Sequence, residues 1–256
     1  MKIAFQNYFI FIIALCLFSS CVSRKKMVYL QGIENQKSYE SSSTYETKLQ
    51  PDDLLSIIVS AENPEVTIPF NLPAIQGNYE INNNQNGIKT YLIDNAGFID
   101  FPVIGKVKLG GMTRTEAINK LFESVSVYIK NPSINLRILN YKISILGEVT
   151  KPGCYTIPSE RITLFEALSL AGDLSIFGIR NNILLIHNDE GKKTYSRIDL
   201  TKVDILTSSN YYLNQNDVII VEPNKTKINS SVVGSNATII LSGMTVLLSL
   251  IFVLKK

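Results

Sequence analysis

The sequence is poor in the side chains that hold metals or carry out thiol chemistry. Its 256 residues include one histidine and three cysteines. Cys16 lies in a segment that we expect to be removed and Cys21 is expected to be modified, which leaves Cys154. A single thiol forms neither an internal disulfide nor a metal cluster. We therefore predict no metal site and no cofactor.

Charge is also scarce and evenly balanced. Charged residues make up 18% of the chain, and the formal net charge is +3. Removal of residues 1–20 would delete one lysine and no acid, leaving about +2. This balance argues against a nucleic-acid-binding surface. The length leaves room for two small domains.

No group of residues typical of a catalytic site stands out. Asp52 and Asp53 are adjacent, but such a pair before a strand more often serves a turn or a cap. His187 has no acid or cysteine cluster at metal-ligand spacing. Cys154 has His187 as its one conceivable dyad partner. We predict that the protein is not an enzyme. Three aromatic residues suit packing as well as carbohydrate contact: Tyr155, Tyr211 and Tyr212.

The N-terminus reads as an export signal. Lys2 is followed by an uncharged apolar run, Tyr8 to Phe18, which has the length of a signal-peptide core and is too short to span a bilayer. Cys21 follows two serines, as in a bacterial lipobox. We predict a signal peptide at 1–20 and lipidation of Cys21; an ordinary secretory signal with a chance cysteine is the alternative. Val22 is not an inner-membrane retention aspartate, which favours the outer membrane by analogy.

Residues 21–44 are predicted to form an acylated tether. Arg24, Lys25 and Lys26 would lie beside the lipid anchor, where each basic residue gains roughly 1 kcal/mol from anionic headgroups. A solvated tether explains the same residues. Glu34 to Thr44 is polar and serine-rich, as linkers are.

The C-terminal run 237–254 contains no charge and is followed by Lys255 and Lys256. As a helix its eighteen residues would be about 27 Å long, close to the roughly 30 Å hydrocarbon core of a bilayer. We predict a transmembrane helix, joined to the preceding domain by a linker at 224–236.

Four hydroxyl residues of this run recur at helical spacing and share one face: Thr238, Ser242, Thr245 and Ser249. Small and polar residues favour contacts between membrane helices. We predict a helix interface or a wet lumen along this stripe. The alternative is that the hydroxyls bond their own helix carbonyls and face lipid.

The middle of the chain predicts an α+β fold with two small β-rich domains, 45–139 and 140–223. Each domain contains a helix that begins with a capping box, at Thr113–Glu116 and Thr163–Glu166. Residues 63–87 are predicted as a loop, and Asn95-Ala96-Gly97 as a hairpin-like turn. Strands are expected at these positions: 54–60, 91–94, 98–101, 134–138, 142–149, 183–187, 194–199 and 218–221. Residues 213–219 echo 49–55, with leucine, three residues, aspartate and an apolar strand.

These residues resemble a bacterial polysaccharide export protein of the Wza-like outer-membrane auxiliary family. The first part of the resemblance includes Asp53, a glycine before a strand (Gly97), then Pro102 and Gly105, and a "GxTxxEA" helix start at 111–117. The second part resembles a β-grasp module called SLBB, through Gly147, Pro152 and Gly153 and the helix that ends at Gly172. Family members often have a second glycine where this chain has Asp173.

The resemblance implies a homo-oligomeric ring whose lumen passes capsular polysaccharide or exopolysaccharide. Relatives form an α-helical barrel through the outer membrane with their C-terminal helices. They work with an inner-membrane chain-length regulator or tyrosine-kinase-like protein. Larger relatives carry two or more SLBB modules, and this chain has room for one.

Two other functions remain open from the sequence. An inner-membrane-anchored periplasmic scaffold would place Lys255 and Lys256 in the cytoplasm, following the positive-inside tendency. A periplasmic glycan-processing enzyme would need a positioned acid–base pair, which the sequence does not reveal.

Overall fold

The structure, a computed structural model, describes residues 27–35, 45–71, 90–189 and 192–233, and helical positions 239, 242–247 and 249–250. The predicted signal peptide 1–20, the lipidation site Cys21 and Thr238 lie outside the described residues. The fold is α+β and built from small sheets, as predicted.

The first sheet has three antiparallel strands in the order β2-β1-β5. Their bounds are Leu54–Ser60 for β1, Tyr91–Leu92 for β2 and Ser133–Ile138 for β5. β1 and β5 pair along their length, from Leu55 opposite Ile138 to Ser60 opposite Ser133. The loop prediction for 63–87 was wrong at its start, because Pro64–Phe70 forms a 3₁₀ helix that buries Phe70.

The predicted turn at 95–97 is present, but its flanking strands pair elsewhere. The amide of Asp94 donates to Phe98 O at 2.9 Å, and Gly97 adopts a φ of +86°. β2 pairs with β1, whereas β3 (Phe98–Phe101) forms a separate hairpin with β4 (Gly105–Lys108).

Helix α1, Arg114–Ser126, covers the first sheet. Its predicted capping box is confirmed: the Glu116 amide donates to Thr113 Oγ1, and the Thr113 amide donates to the Glu116 carboxylate. The helix buries Ala117, Leu121 and Val125 in a cluster with residues of the sheet and hairpin. Tyr128 follows the helix and is exposed.

The second sheet has five strands in the order β7-β6-β10-β8-β9. β6 and β10 are parallel and the other pairs are antiparallel. Helix α2, Leu164–Leu170, packs on the sheet and begins with the second predicted capping box. The strand bounds are Lys142–Gly147, Gly153–Thr156, Ile183–Asp189, Lys192–Ile198 and Val218–Val221 for β6 to β10 in turn.

The turn after α2 explains why glycines are expected there. Gly172 has a φ of +71° and Asp173 a φ of +67°, so two successive residues lie in the left-handed region. Aspartate tolerates this region better than most residues, since its side chain bonds nearby backbone. Asp173 Oδ1 accepts from the Leu174 amide at 2.7 Å.

Residues 27–35, the N-terminal strap, lie against the second domain. The amides of Leu30 and Gln31 donate to Leu200 O and Thr201 O at 3.1 and 2.8 Å. The Tyr29 ring meets Phe165 edge-on, at 6.1 Å between centroids. No sequence pattern predicted this contact, because the segment lacks hydrophobic periodicity.

The C-terminal part of the described chain begins with helix α3, Lys225–Val233. Within the ranges that the structure describes, no helix has both the length and the apolar character needed to cross a membrane. The predicted span 237–254 is described at nine helical positions, and the rest of it lies outside the described residues.

Candidate functional site at the domain boundary

A groove of about 710 Å³ opens where the first domain meets the second. It lies beside the chain crossing from β5 to β6, at Ile138–Tyr141. Arg114 of α1 spans it with an ion pair to Glu160 of the second domain, at 3.2 Å. Its charged side chains are Glu46, Arg114, Arg137, Glu160 and Arg161.

Each of the two carboxylates of the groove has a hydrogen-bonding or charged partner. Thr115 donates its hydroxyl to Glu46 Oε1 at 2.9 Å, and this bond lowers the pKa of Glu46. A general acid at neutral pH needs the opposite shift. Glu160 is the partner of Arg114. The guanidinium and hydroxyl groups suit binding of hydroxyl-rich or acidic chains better than bond cleavage.

Two matching turns flank the boundary, and they explain the repeated sequence pattern. Asp53 Oδ2 accepts from the Gln50 amide at 2.9 Å, and Asp217 Oδ2 accepts from the Asn214 amide at 2.7 Å. The residue before each aspartate is left-handed, with a φ of +69° at Asp52 and +63° at Asn216. Both aspartates are fully buried. The echo between 49–55 and 213–219 is therefore structural.

Burial has a measurable consequence for Asp53. Burial raises the pKa of this carboxyl to about 6. Hydrogen bonds from the Gln50 amide and the Gln215 side chain favour the charged form and oppose this shift, but burial has the larger effect. A raised pKa is a common property of catalytic acids. Asp53 is closed off from solvent inside a turn, however, so the shift reflects its structural position.

Two amide side chains clasp the domains together. Asn140 accepts from the Leu54 amide and donates to Asp52 O, both at 2.8 Å. Gln215 accepts from the Lys142 amide and donates to Asn140 O, both at 2.9 Å. Sequence reasoning missed this amide clasp, because its partners lie 73 to 88 positions apart.

His187 is satisfied inside the second domain. Its Nδ1 lies 2.8 Å from Asp217 Oδ2, and its Nε2 lies 3.1 Å from Asn210 Oδ1. Cys154 is exposed on β7, and β6 and β10 separate that strand from β8. Three strand spacings amount to about 14 Å, so the two residues form no dyad. Within the described ranges, no three potential ligands group around a metal position.

The three tyrosines are engaged in packing. Tyr212 stacks on Tyr45 of the first domain at 4.9 Å between centroids, and the Arg161 guanidinium lies 5.3 Å from the same ring. Tyr211 meets Tyr212 edge-on. The Tyr155 hydroxyl donates to Lys151 O. These contacts favour the packing interpretation.

The motif residues of the first domain shape its hairpin. Gly97 packs backbone to backbone against Gly110, where an added Cβ would lie 2.7 Å from the Gly97 Cα. Pro102 begins the β3–β4 turn, in which Val103 has a φ of +69°, and Gly105, the first residue of β4, has a φ of +86°. A left-handed valine is strained, which makes this exposed turn unusual.

In the second domain, Gly147 is the motif residue with the tightest surroundings. Its φ is +91°, and a Cβ there would lie 2.0 Å from Val221 O. Pro152 and Gly153 lead into β7, whose first residue is Gly153. Of these three, Gly147 has the clearest steric need for glycine.

Three hydroxyls of the predicted stripe bond within their own helix. Ser242, Thr245 and Ser249 donate to the carbonyl oxygens of Ile239, Ser242 and Val246 at 3.0, 2.8 and 2.7 Å. Each donor is thus satisfied without a neighbouring helix. The interface or lumen role of the stripe stays a prediction.

Two family models match the chain in succession. The polysaccharide biosynthesis/export protein family matches residues 41–139. The SLBB domain matches residues 141–221. The junction between the two matches falls at Asn140, the residue of the amide clasp.

Two curated relatives match across both domains. Each is named EPS I polysaccharide export outer membrane protein EpsA. The protein from Ralstonia solanacearum is 28% identical over 176 residues, which is 67% of this chain and 46% of that protein. The one from Ralstonia nicotianae is 27% identical over 175 residues, 66% of this chain and 45% of that protein. The chain thus spans about half the length of these relatives. Residues 41–221 thus consist of a polysaccharide export domain followed by an SLBB domain.

Proposed function

We propose that this chain is an outer-membrane lipoprotein whose copies form an oligomeric channel for export of capsular polysaccharide or exopolysaccharide. The main support is that an export domain is followed by an SLBB domain. The relatives that match across both domains are named polysaccharide export outer membrane proteins. The protein acts by conducting the polymer and carries out no bond chemistry on it.

Membrane attachment in this proposal comes from both ends of the chain. Cys21 is the lipidated residue and holds the folded body on the periplasmic side of the outer membrane. Residues 237–254 form a helix that crosses the membrane, and the helices of several copies enclose the conduit. Support comes from the lipobox-like sequence and the uncharged length of the C-terminal run.

The hydrogen-bonded domain boundary suits a ring. A subunit whose domains are clasped by Asn140 and Gln215 presents both in one orientation, so identical copies can close into a ring. The inner-membrane chain-length regulator or tyrosine-kinase-like protein is the proposed partner below that ring. Cross-linking of the membrane-extracted protein tests the assembly. If protein from the membrane fraction gives no cross-linked species larger than the monomer, the proposal is contradicted.

Gene deletion tests the function. We expect loss of surface polysaccharide while cytoplasmic repeat units continue to be made, and restoration by the wild-type gene. Cys21→Ala is the matched variant for anchoring and should lower export while the protein is still synthesised. Unchanged surface polysaccharide after deletion, in a genome without a second copy, would refute the proposal.

An inner-membrane-anchored scaffold is the alternative, favoured by Lys255 and Lys256 alone. A tag added after Lys256 separates the two. In whole cells the channel predicts that externally added protease removes the tag. The scaffold predicts a tag that stays protected until the inner membrane is opened.

A further inference from the structure

Both chain ends leave the second domain beside one loop, Leu174–Arg180, here called the exit loop. On one side, Met27 Sδ of the N-terminal strap lies 3.9 Å from Arg180 Nη1. On the other side, the Asn224 amide donates to Phe177 O at 2.8 Å, just before α3. Gly178 and Pro223 form an isolated antiparallel bridge next to it.

Arg180 joins the strap to the exit loop. Its guanidinium is buried and donates to Gly178 O at 3.2 Å, while the Tyr29 ring lies 5.4 Å from it. The Tyr29 hydroxyl donates to Asp173 Oδ1 at 2.5 Å. Burial and this bond raise the pKa of Tyr29, so the hydroxyl stays a donor. Asp173, which departs from the family's second glycine, thus supplies a contact that glycine lacks.

The exit loop also carries exposed apolar surface among cations. Ile176 is 66% exposed. Lys227 Nζ lies 5.2 Å from the Phe177 ring and 3.9 Å from Glu148 Oε1, and Lys225 is exposed at the start of α3. Arg24, Lys25 and Lys26 directly precede the strap. Three acids contact this region: Glu148 accepts from the Ser175 hydroxyl, Asp173 from the Tyr29 hydroxyl, and the Glu222 carbonyl from the Ile179 amide.

We infer that the exit loop is the bilayer-facing surface of the folded body, with lipid headgroups as its partner. This rests on the proposed attachment of both chain ends. Cys21 is six residues before Met27, so its Cα lies at most about 22 Å from that of Met27. α3 is nine residues, about 13 Å long, and begins beside Phe177. Because both proposed membrane attachments lie close to the exit loop, we expect the exit loop to face the membrane.

The absence of tryptophan from the chain gives a direct test. Ile176→Trp places one fluorescence donor on the exit loop, and Ile68→Trp places a matched donor on the first domain, where Ile68 is 68% exposed. The full mature protein is reconstituted into phosphatidylethanolamine–phosphatidylglycerol vesicles with a dansyl-labelled headgroup. We expect energy transfer in the Ile176→Trp variant to exceed that in the Ile68→Trp variant at least threefold.

Flotation of the same vesicles shows whether a negative result concerns the orientation of the exit loop or the membrane attachment itself. Protein that floats with equal or reversed transfer efficiencies would overturn the inference and leave membrane attachment standing. Protein that does not float would overturn the attachment itself.

The strap contacts give a second test in the same vesicles. Tyr29→Phe and Asp173→Gly each remove the Tyr29–Asp173 bond and so loosen the strap. Each, when added to Ile176→Trp, should reduce energy transfer at least twofold while flotation persists. Unchanged transfer would show that the strap does not orient the domain.

Discussion

Asp53 and Asp217 close the same turn in the two domains, but a histidine lies beside Asp217 and none beside Asp53. Each carboxylate accepts from the backbone amide three residues earlier. His187 Nδ1 lies 2.8 Å from Asp217, whereas Asp53 has Gln215 and Asp52 as its side-chain neighbours. The same geometry therefore predicts opposite effects of removing the charge.

Asp53→Asn should abolish a pH dependence of stability. The pKa of Asp53 is about 6 in the folded protein and 3.8 without its surroundings, so the folded state binds more protons between these values. Wild-type stability should therefore fall as pH rises from about 4 to 6, and that loss is absent from the variant. At pH 8 we expect Asp53→Asn to raise the free energy of unfolding by up to about 3 kcal/mol. Urea denaturation of detergent-solubilised protein at several pH values measures this; parallel pH profiles would contradict it.

Asp217→Asn should destabilise the protein. It replaces the carboxylate that faces His187 Nδ1 with an amide, and loss of a hydrogen bond to a charged group costs about 1.5–3 kcal/mol. The same urea experiment at pH 7 compares it with Asp53→Asn, which preserves the turn and lacks a histidine partner. Equal effects of the two substitutions would show that the His187 contact contributes nothing.

Loss of the amide clasp should weaken the domain boundary. Asn140→Ala and Gln215→Ala each leave backbone groups unpaired, at a cost of about 1–3 kcal/mol. Because Gln215 donates to Asn140 O, the two effects should be non-additive in a double-mutant cycle. Asn135→Ala, at an exposed position of β5, is the control and should change stability by less than about 0.5 kcal/mol. If the double variant loses the sum of the two single losses in the free energy of unfolding, the two amides do not act as one unit.

Gly147 and Gly105 should respond differently to alanine, although both are left-handed. A Cβ at Gly147 would lie 2.0 Å from Val221 O, whereas one at Gly105 would have no heavy atom within 4 Å. Gly105→Ala should cost about 1–2 kcal/mol from backbone conformation alone. Gly147→Ala must also separate β6 from β10 and should cost more than about 4 kcal/mol or prevent folding. Thermal unfolding of both variants measures the difference; similar losses would exclude the steric explanation.

The sequence predicted what depends on neighbours along the chain and missed what depends on distant partners. The capping boxes at Thr113 and Thr163 could be predicted because a capping box is defined by two residues three positions apart. The turn before Phe98 was readable for the same reason. The pairing of Phe98 with Lys108 was not, since several strands offer equivalent edges. The amide clasp and the strap contact of Tyr29 join positions 73 to 144 apart and leave no local pattern.

The hydroxyl stripe of the C-terminal helix should matter for assembly more than for the stability of one helix. Ser242, Thr245 and Ser249 already bond their own backbone, so a single helix loses little when leucine replaces them. In a barrel of helices, however, leucine keeps neighbouring backbones apart and closes a wet lumen. We expect leucine at these three positions and at Thr238 to reduce cross-linked oligomer and surface polysaccharide at least tenfold. The control places leucine at Ile240, Met244 and Ile251, which helical spacing predicts on the opposite face, and should retain at least half of both. If the two sets lower both readouts equally, the stripe has no special role, and its hydroxyls face lipid.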